Sequence, residues 1–450
     1  MLSGLALPRR REDPMATLDR WRRFLTAPQT LRFPELSLMG DDHAPIIVKG
    51  SGEVQIETLA RNTYRLTGRP SDLRYAFTEL QRLRDDPYNG LARQRLFGVD
   101  EDGIEWLLGW TEPQVEAAPS SGDWVFTGSI EALMPEDESS TVAQESTTEV
   151  VFAFPVNSPM RRMMPYLLAR SETDRDQPLV VEVLGSRLCL TYQPPEGALT
   201  VAIKHTEAFP PTYTENWLGE PLRIMFGQLI YPRLVARNLG GGRTVVFVRP
   251  SPGFLPEASW AALWRGGSPE AFWKLYTLLL TFVATARSGA GQRNWEPNKV
   301  TRLYEEIIQA SRGSRWIWAL TFASAIEALV RMLYPRGTPH PEADEAQAAA
   351  LVSHIDAWEG SARLKTIARS AVQRSSELPT TAALRLLRRE GVVAPPQYAA
   401  WDAVRNAVMH GSLLSPYSVE EEDERLLALV TLFHTLTREV AVRVRGDASP

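Results

Sequence analysis

A chain of 450 residues, 44% apolar and 23% charged, is long enough for two or three domains, each burying its own core. The formal net charge of −5 excludes a general nucleic-acid coat, which would be basic overall, and leaves room only for a local basic groove. The single cysteine, Cys189, excludes an intramolecular disulfide framework and fits a reducing cytoplasm. The six histidines are scattered, with no His-Glu-x-x-His and no paired cysteines, so neither a metal site nor a cofactor is expected. No run of about 18 apolar residues suggests a membrane span. Arg9, Arg10 and Arg11 follow a short apolar start, the wrong order for a secretory signal, and the expected location is the cytoplasm.

Residues 1–44 read as an N-terminal extension, and residues 45–252 as a β-rich domain. Ile46–Val48, Val54–Glu57, Thr63–Leu66, Trp106–Trp110 and Trp124–Phe126 are short, β-branched or aromatic, and flanked by Gly, Pro or Asp. Glu149–Phe154, Leu179–Val183, Arg187–Tyr192 and Thr200–Ile203 continue the pattern, with Cys189 inside a strand. Short strands at regular spacing predict a sandwich or barrel-like sheet. Leu73 to Leu83 reads as an inserted helix. Glu131 to Glu149 carries six carboxylates and no basic residue, which reads as a solvated loop and as a negative surface that repels stray RNA. Tyr213 to Asn238 reads as a helix stopped by Gly240-Gly241-Gly242, followed by the buried strand Thr244–Val248. The triple glycine precedes no helix and lacks a phosphate-loop lysine, so it reads as a stop and turn.

Prolines 250, 252 and 256 mark a boundary, and residues 253–295 read as a linker with a connecting helix, Pro269 to Arg287. Residues 296–446 are helical: Lys299–Ala310, Ser314–Leu333 with apolar residues at helical spacing, Glu342–Ser376 with a break near Gly360, and Thr380–Arg389 ending at Gly391. Pro396–Met409 follows, then Ser418–Arg443, which opens with a capping box of Ser418 and Glu421. The expected fold class is therefore α+β and multidomain, a β-rich, sandwich-like N-terminal region followed by an all-α bundle.

The segment Trp401 to Gly411 concentrates chemistry. Residues four apart on a helix lie about 40° from each other around its axis, so Asp402, Asn406 and His410 form one polar stripe with Arg405 beside it. Ala400, Val404, Ala407 and Val408 form the apolar face. A histidine at a helix end is stabilised in its charged form by the carbonyl end of the dipole, which favours proton exchange near neutral pH. An arginine keeps its charge and forks onto phosphate.

This Arg-Asn-x-x-x-His pattern resembles the Arg-x(4–6)-His signature of the HEPN superfamily (higher eukaryotes and prokaryotes nucleotide-binding), most closely the Apea-like HEPN group. Ser324-Ala325-Ile326-Glu327-Ala328-Leu329 resembles the Ala-x-Glu-x-Leu core of an early helix in that family. Ala383 to Val392 resembles its short helix before the motif. The resemblance covers roughly residues 296 to 445. It implies a helical bundle that pairs as a homodimer and brings two motif helices to one cleft. Active relatives are metal-independent RNases that leave a cyclic phosphate and a 5′-hydroxyl. On that resemblance His410 is the general acid or base, Arg405 stabilises charge on phosphorus, and Asn406 orients the histidine or phosphate. Asp402 fixes the ring tautomer, and Glu327 faces the cleft. Gly411-Ser412 stands where nucleotide-transferring relatives carry a tyrosine, which argues against transfer.

A plainer reading pairs Glu327 with Arg331, four residues on, and treats Arg405 and His410 as structural. Arg369, Arg374, Arg385, Arg388 and Arg389 lie in a locally basic segment, read as a solvated face or as a phosphate rail for an RNA substrate. Two functions are thus expected as the main rivals, with a nucleotide-binding regulator as a third. One is a homodimeric endoribonuclease of antiphage defence (abortive infection) or stress-induced growth arrest, whose β domain senses a phage or stress trigger. The other is a catalytically inactive dimerisation or interaction protein whose β domain binds a ligand or phage protein.

Overall fold

The computed structural model describes residues 18, 21–40, 45–57, 62–85, 94–116, 123–130, 132–135, 146–156, 158–169, 178–240, 243–249, 259–288, 291–341, 344–409, 417 and 419–446. Two antiparallel sheets fill the N-terminal half and a run of helices the C-terminal part, so the chain is α+β with a β-rich N-terminus. It divides into two compact units. The first comprises residues 1–223, 229–257 and 266–284, and the second comprises residues 224–228, 258–265 and 285–450.

In the first unit one sheet is built from β1 (Gln29–Met39), β2 (Ile46–Ile56), β3 (Asn62–Pro70), β4 (Gln94–Val99), β5 (Glu105–Thr111), β6 (Gln114–Glu116), β7 (Trp124–Ile130) and β8 (Met134–Pro135), in the order β6-β7-β3-β2-β1-β4-β5-β8. The second holds β9 (Thr147–Ala153), β10 (Leu179–Val183), β11 (Ser186–Gln193), β12 (Ala198–Lys204), β13 (Leu234–Gly240) and β14 (Arg243–Val248), in the order β10-β11-β12-β9-β13-β14. Alternation is cleanest in β3, where Asn62, Tyr64, Leu66 and Gly68 are buried while Thr63, Arg65, Thr67 and Arg69 face solvent. β12 is buried on both faces up to Lys204, so it reads as a continuous apolar run.

The first sheet curls strongly. Thr111 Oγ1 of β5 donates to Tyr64 Oη of β3 at 3.3 Å, although three strands separate them in the sheet order. β2 and β3 approach closely at the facing pair Gly50 and Gly68. A Cβ at Gly50 would fall 2.0 Å from the Thr67 carbonyl oxygen, and one at Gly68 2.4 Å from that of Lys49. One apolar core then joins the two sheets, with Phe33, Leu36, Leu66, Trp106 and Phe126 on one side and Val151, Leu234, Ala236 and Val248 on the other. The short helix α1 (Arg23–Thr26) seals it. Trp21 meets Trp106 edge-on at 5.6 Å, and Arg22 donates to Thr200 Oγ1 (2.6 Å) and Glu196 Oε2 (2.8 Å) of the second sheet's region.

Helix α2 (Leu73–Asp85) follows β3, where an inserted helix was expected, and α3 (Pro159–Leu168) and α4 (Thr214–Phe226) follow β9 and β12. The predicted helix Tyr213–Asn238 is therefore half helix, half strand. Gly227, with φ 58°, cannot continue the helix without strain for any other residue, and Leu234–Gly240 enters the sheet as β13. Gly240 ends β13 and pairs with Arg243 of β14 rather than stopping a helix, while Gly241 and Gly242 lie outside the described residues. β1, inside the stretch read as an extension, is a central strand, and the expected strands 46–48 and 54–57 are one strand, β2. Part of the acidic stretch 131–149 is likewise structured, as β8 and the start of β9, with Glu149 fully buried. Helix α5 (Pro269–Ala284) packs on α3 and β10 within this unit, with Trp273 Nε1 donating to the Leu167 carbonyl at 2.8 Å.

The second unit contains α6 (Lys299–Ala310), α7 (Arg315–Leu333), α8 (Glu345–Ala357), α9 (Ala362–Ser376), α10 (Thr380–Arg389), α11 (Pro395–Met409) and α12 (Glu420–Gly446). Asn298 and Ser314 cap α6 and α7 by accepting from Val300 N and Ile317 N, and Gly391, φ 78°, closes the turn after α10. The core is aromatic: Tyr304 lies 4.7 Å from Phe433, and Phe322 lies 5.5 Å from Phe433. Each such ring, fully buried, contributes about 1.5–3 kcal/mol. Among the described residues α7 is the one helix long and apolar enough to cross a membrane by length and composition. In this unit it packs against α6, α10, α11 and α12, with Phe322, Ile326 and Leu329 buried among them. Ser418, proposed to cap α12, lies outside the described residues.

Candidate functional site

Helix α11 begins at Pro395, a residue that tolerates the first turn because its missing N–H needs no partner there. Its apolar face holds it down: Trp401 is fully buried, and Ala400 and Val404 are each 4% exposed. That anchoring fixes what the other face presents. Asp402 and Asn406 lie one turn apart on it, Asp402 half-buried and Asn406 exposed. The helix is described to Met409; His410 follows directly and lies outside the described residues, as do Gly411 and Ser412.

Arg405 is the best-defined member of the set. Its guanidinium sits over the Trp401 ring, 5.7 Å from the centroid, and its Nε donates to Oε1 of Glu327 on α7 at 3.1 Å. The two charged side chains are 39% and 43% exposed, so solvent and a ligand can reach both. Two segments that sequence places 78 residues apart thus meet at one ion pair. Glu327 does not pair with Arg331; Arg331 Nη1 instead points at the Leu378 carbonyl, at 3.4 Å.

The basic segment splits into two places. Arg369 pairs with Asp356 across α8 and α9, and Arg374 is exposed on α9. Arg385, Arg388 and Arg389 lie on α10, whose Ala383, Leu384 and Leu387 are buried and whose opposite face is open. Arg385 Nε donates to Tyr398 Oη on α11 at 3.0 Å, and the Arg388 guanidinium lies 5.1 Å from the Tyr398 ring centroid. Tyr398 precedes Arg405 by two helical turns on the same side of α11. Sequence reasoning missed it; the signal available was its spacing of four and seven residues from Asp402 and Arg405.

A second concentration of charge lies in the first unit, beside β9 and β13. Fully buried Glu215 binds both Arg237 and Arg249, the latter at 3.1 Å. Nearby, His205 has Ser146 Oγ 2.5 Å from Nδ1 and Thr148 Oγ1 2.6 Å from Nε2. Burial, together with Arg237 and against the pull of Glu215, lowers its pKa to about 4. Ser146 Oγ also reaches the Asn238 carbonyl at 3.1 Å. A hydroxyl with one proton cannot donate to both acceptors, so with the Asn238 bond made, Nδ1–H donates to Ser146 and Nε2 accepts from Thr148. This arrangement locks the ring and does not activate Ser146 as a nucleophile. The cluster is a structural tie between strands. Among the described residues no three His, Cys, Asp or Glu side chains gather as metal ligands.

Compared with protein-family models, with curated proteins and with solved structures, the chain matches none.

Proposed function

We propose that the chain is a metal-independent endoribonuclease whose centre is Arg405 with His410, on a HEPN-like helical domain, and whose β-rich unit senses or restrains it. The observation that carries this reading is the placement of Arg405. It is held by a buried tryptophan and by Glu327 on a neighbouring helix, yet remains partly open to solvent at the end of α11 nearest His410. A pre-positioned guanidinium can stabilise the charge that builds on phosphorus without reorganising. His410 would take the proton of the 2′-hydroxyl as its oxygen attacks phosphorus. The 5′-oxygen leaves and takes up a proton, from the same ring or from the histidine of a second copy. The products are a 2′,3′-cyclic phosphate and a 5′-hydroxyl, so atoms and charge balance with no metal. Pairing as a homodimer would bring two histidines to one cleft, with antiphage defence or stress-induced growth arrest as the setting.

The second reading, an inactive dimerisation module whose β unit binds a ligand or phage protein, draws on the same ion pair. An arginine neutralised by Glu327 and stacked on Trp401 is also what a purely structural tie between α7 and α11 looks like. Incubating the full chain with RNA in EDTA separates the two. Cleavage with cyclic-phosphate ends, lost in His410→Ala, supports the enzyme. Intact RNA at every enzyme concentration supports the module.

A further inference from the structure

Several exposed arginines of the helical unit are matched to carboxylates: Arg302 to Glu296, Arg369 to Asp356, Arg425 to Glu421, and Arg443 to Glu390 and Glu439. Arg385 and Arg388 are not. Among the described residues neither meets a carboxylate, although the chain carries 54 acidic residues against 49 basic ones. What they meet is one aromatic side chain, Tyr398, whose hydroxyl accepts from Arg385 Nε (3.0 Å) and whose ring lies under Arg388 (5.1 Å). Two guanidiniums gathered on one tyrosine without a carboxylate between them repel each other. Holding them there makes sense for an anion that binds both. Orienting them in advance also removes part of the side-chain entropy that a flexible basic patch would lose on binding.

Their position says which anion. Tyr398 and Arg405 are seven residues apart on α11, two turns on one side of the helix, or about 10 Å along the axis. A linear polyanion with regularly spaced charges can reach from one to the other, and a mononucleotide cannot. We infer that Arg385 and Arg388 form a second phosphate subsite for single-stranded RNA, gripping a phosphodiester that flanks the one at Arg405, with Tyr398 as the positioning residue. The inference rests on the ribonuclease reading above. It explains how an acidic protein holds RNA at all: by two local cationic points on one edge of α10 and α11 rather than by net charge. Single strands suit the site because their backbone can follow a helix edge that a stiff duplex would only touch.

The test uses the full-length His410→Ala chain, which cannot cut, and a fluorescent single-stranded RNA titrated at several KCl concentrations. Arg385→Gln with Arg388→Gln should weaken binding at least fivefold at low salt. It should also flatten the dependence of log K on log salt by about 0.7 for each phosphate that is no longer neutralised. Tyr398→Phe, which keeps the ring but frees Arg385, should give a smaller loss. Arg302→Gln, on α6, should change neither affinity nor slope. Circular dichroism and thermal melts confirm that the variants fold, as exposed substitutions should. If RNA binds and the double variant matches its parent in affinity and slope, the subsite is overturned while the ribonuclease reading stands. If no RNA binds the parent at any salt, both fall.

Discussion

Arg405 on α11 and Glu327 on α7 form an ion pair across two packed helices, Nε to Oε1 at 3.1 Å, with 39% and 43% of the side chains exposed. A pair this open to solvent contributes at most about 1 kcal/mol to folding. Its larger consequence is electrostatic: any phosphate that approaches Arg405 competes with a carboxylate already in place. Glu327→Gln should therefore leave the thermal midpoint within a few degrees of the parent and tighten RNA binding measured on the His410→Ala background. A large stability loss with unchanged RNA affinity would make the pair a structural tie.

Trp401 and Arg405 should separate packing from chemistry. Trp401 is fully buried, so Trp401→Ala opens a cavity and should cost about 3–5 kcal/mol, enough to unfold the helical unit near physiological temperature. Arg405→Ala removes no core volume. It should reduce cleavage about 100-fold or more while the protein melts nearly as the parent does. Urea denaturation beside a cleavage assay reads both effects, and a collapse of stability in Arg405→Ala would contradict the catalytic placement.

Two histidines should set the acid limit of folding. Burial, with Arg237 nearby, lowers His205 to about 4, and burial, with Arg265 nearby, lowers His434 to about 3. Both values lie below the ordinary 6.5 of an unfolded chain. Above pH 6.5 both states are neutral and stability is at its full value. As pH falls from about 6.5 toward about 4 and 3, the unfolded chain gains protons that the folded chain refuses, and stability is lost. Each ring contributes a slope of up to about 1.4 kcal/mol per pH unit in that window. Unfolding free energies at pH 7 and pH 5 should converge in His434→Gln relative to the parent. An unchanged difference would mean that His434 is charged in the fold.

Gly50 tests the close approach of β2 and β3. A Cβ there would lie 2.0 Å from the Thr67 carbonyl oxygen, so Gly50→Ala must push β2 from β3. The expected loss is about 1–3 kcal/mol or more, read as a lower denaturation midpoint. Gly185→Ala, whose added carbon meets nothing within 4 Å, should show only the strain of its positive φ.

Much of this architecture is legible in sequence where one physical signal dominates. The helices α6, α7 and α11 declare themselves through apolar periodicity and α10 through its stop at Gly391, and they form where expected. Leu234–Gly240 is misread because a short buried strand and a helix segment carry the same apolar density, and only pairing with β9 and β14 decides between them. β1 is missed because Arg32, Pro34 and Glu35 interrupt its pattern, which a bulge between Phe33 and Leu36 accommodates. At the candidate site the stripe of Asp402, Arg405 and Asn406 follows from spacing alone. The partners do not: pairing of Glu327 with Arg405, and of Arg385 and Arg388 with Tyr398, depends on how helices far apart in sequence cross.

The most direct measurement of the central claim is cleavage of single-stranded RNA by the purified full-length chain in EDTA, with the ends of the products identified. The parent should yield fragments with 2′,3′-cyclic phosphate and 5′-hydroxyl ends, and folded His410→Ala or Arg405→Ala should yield none. Uncut RNA from the parent, or cleavage that persists undiminished in both folded variants, would contradict it.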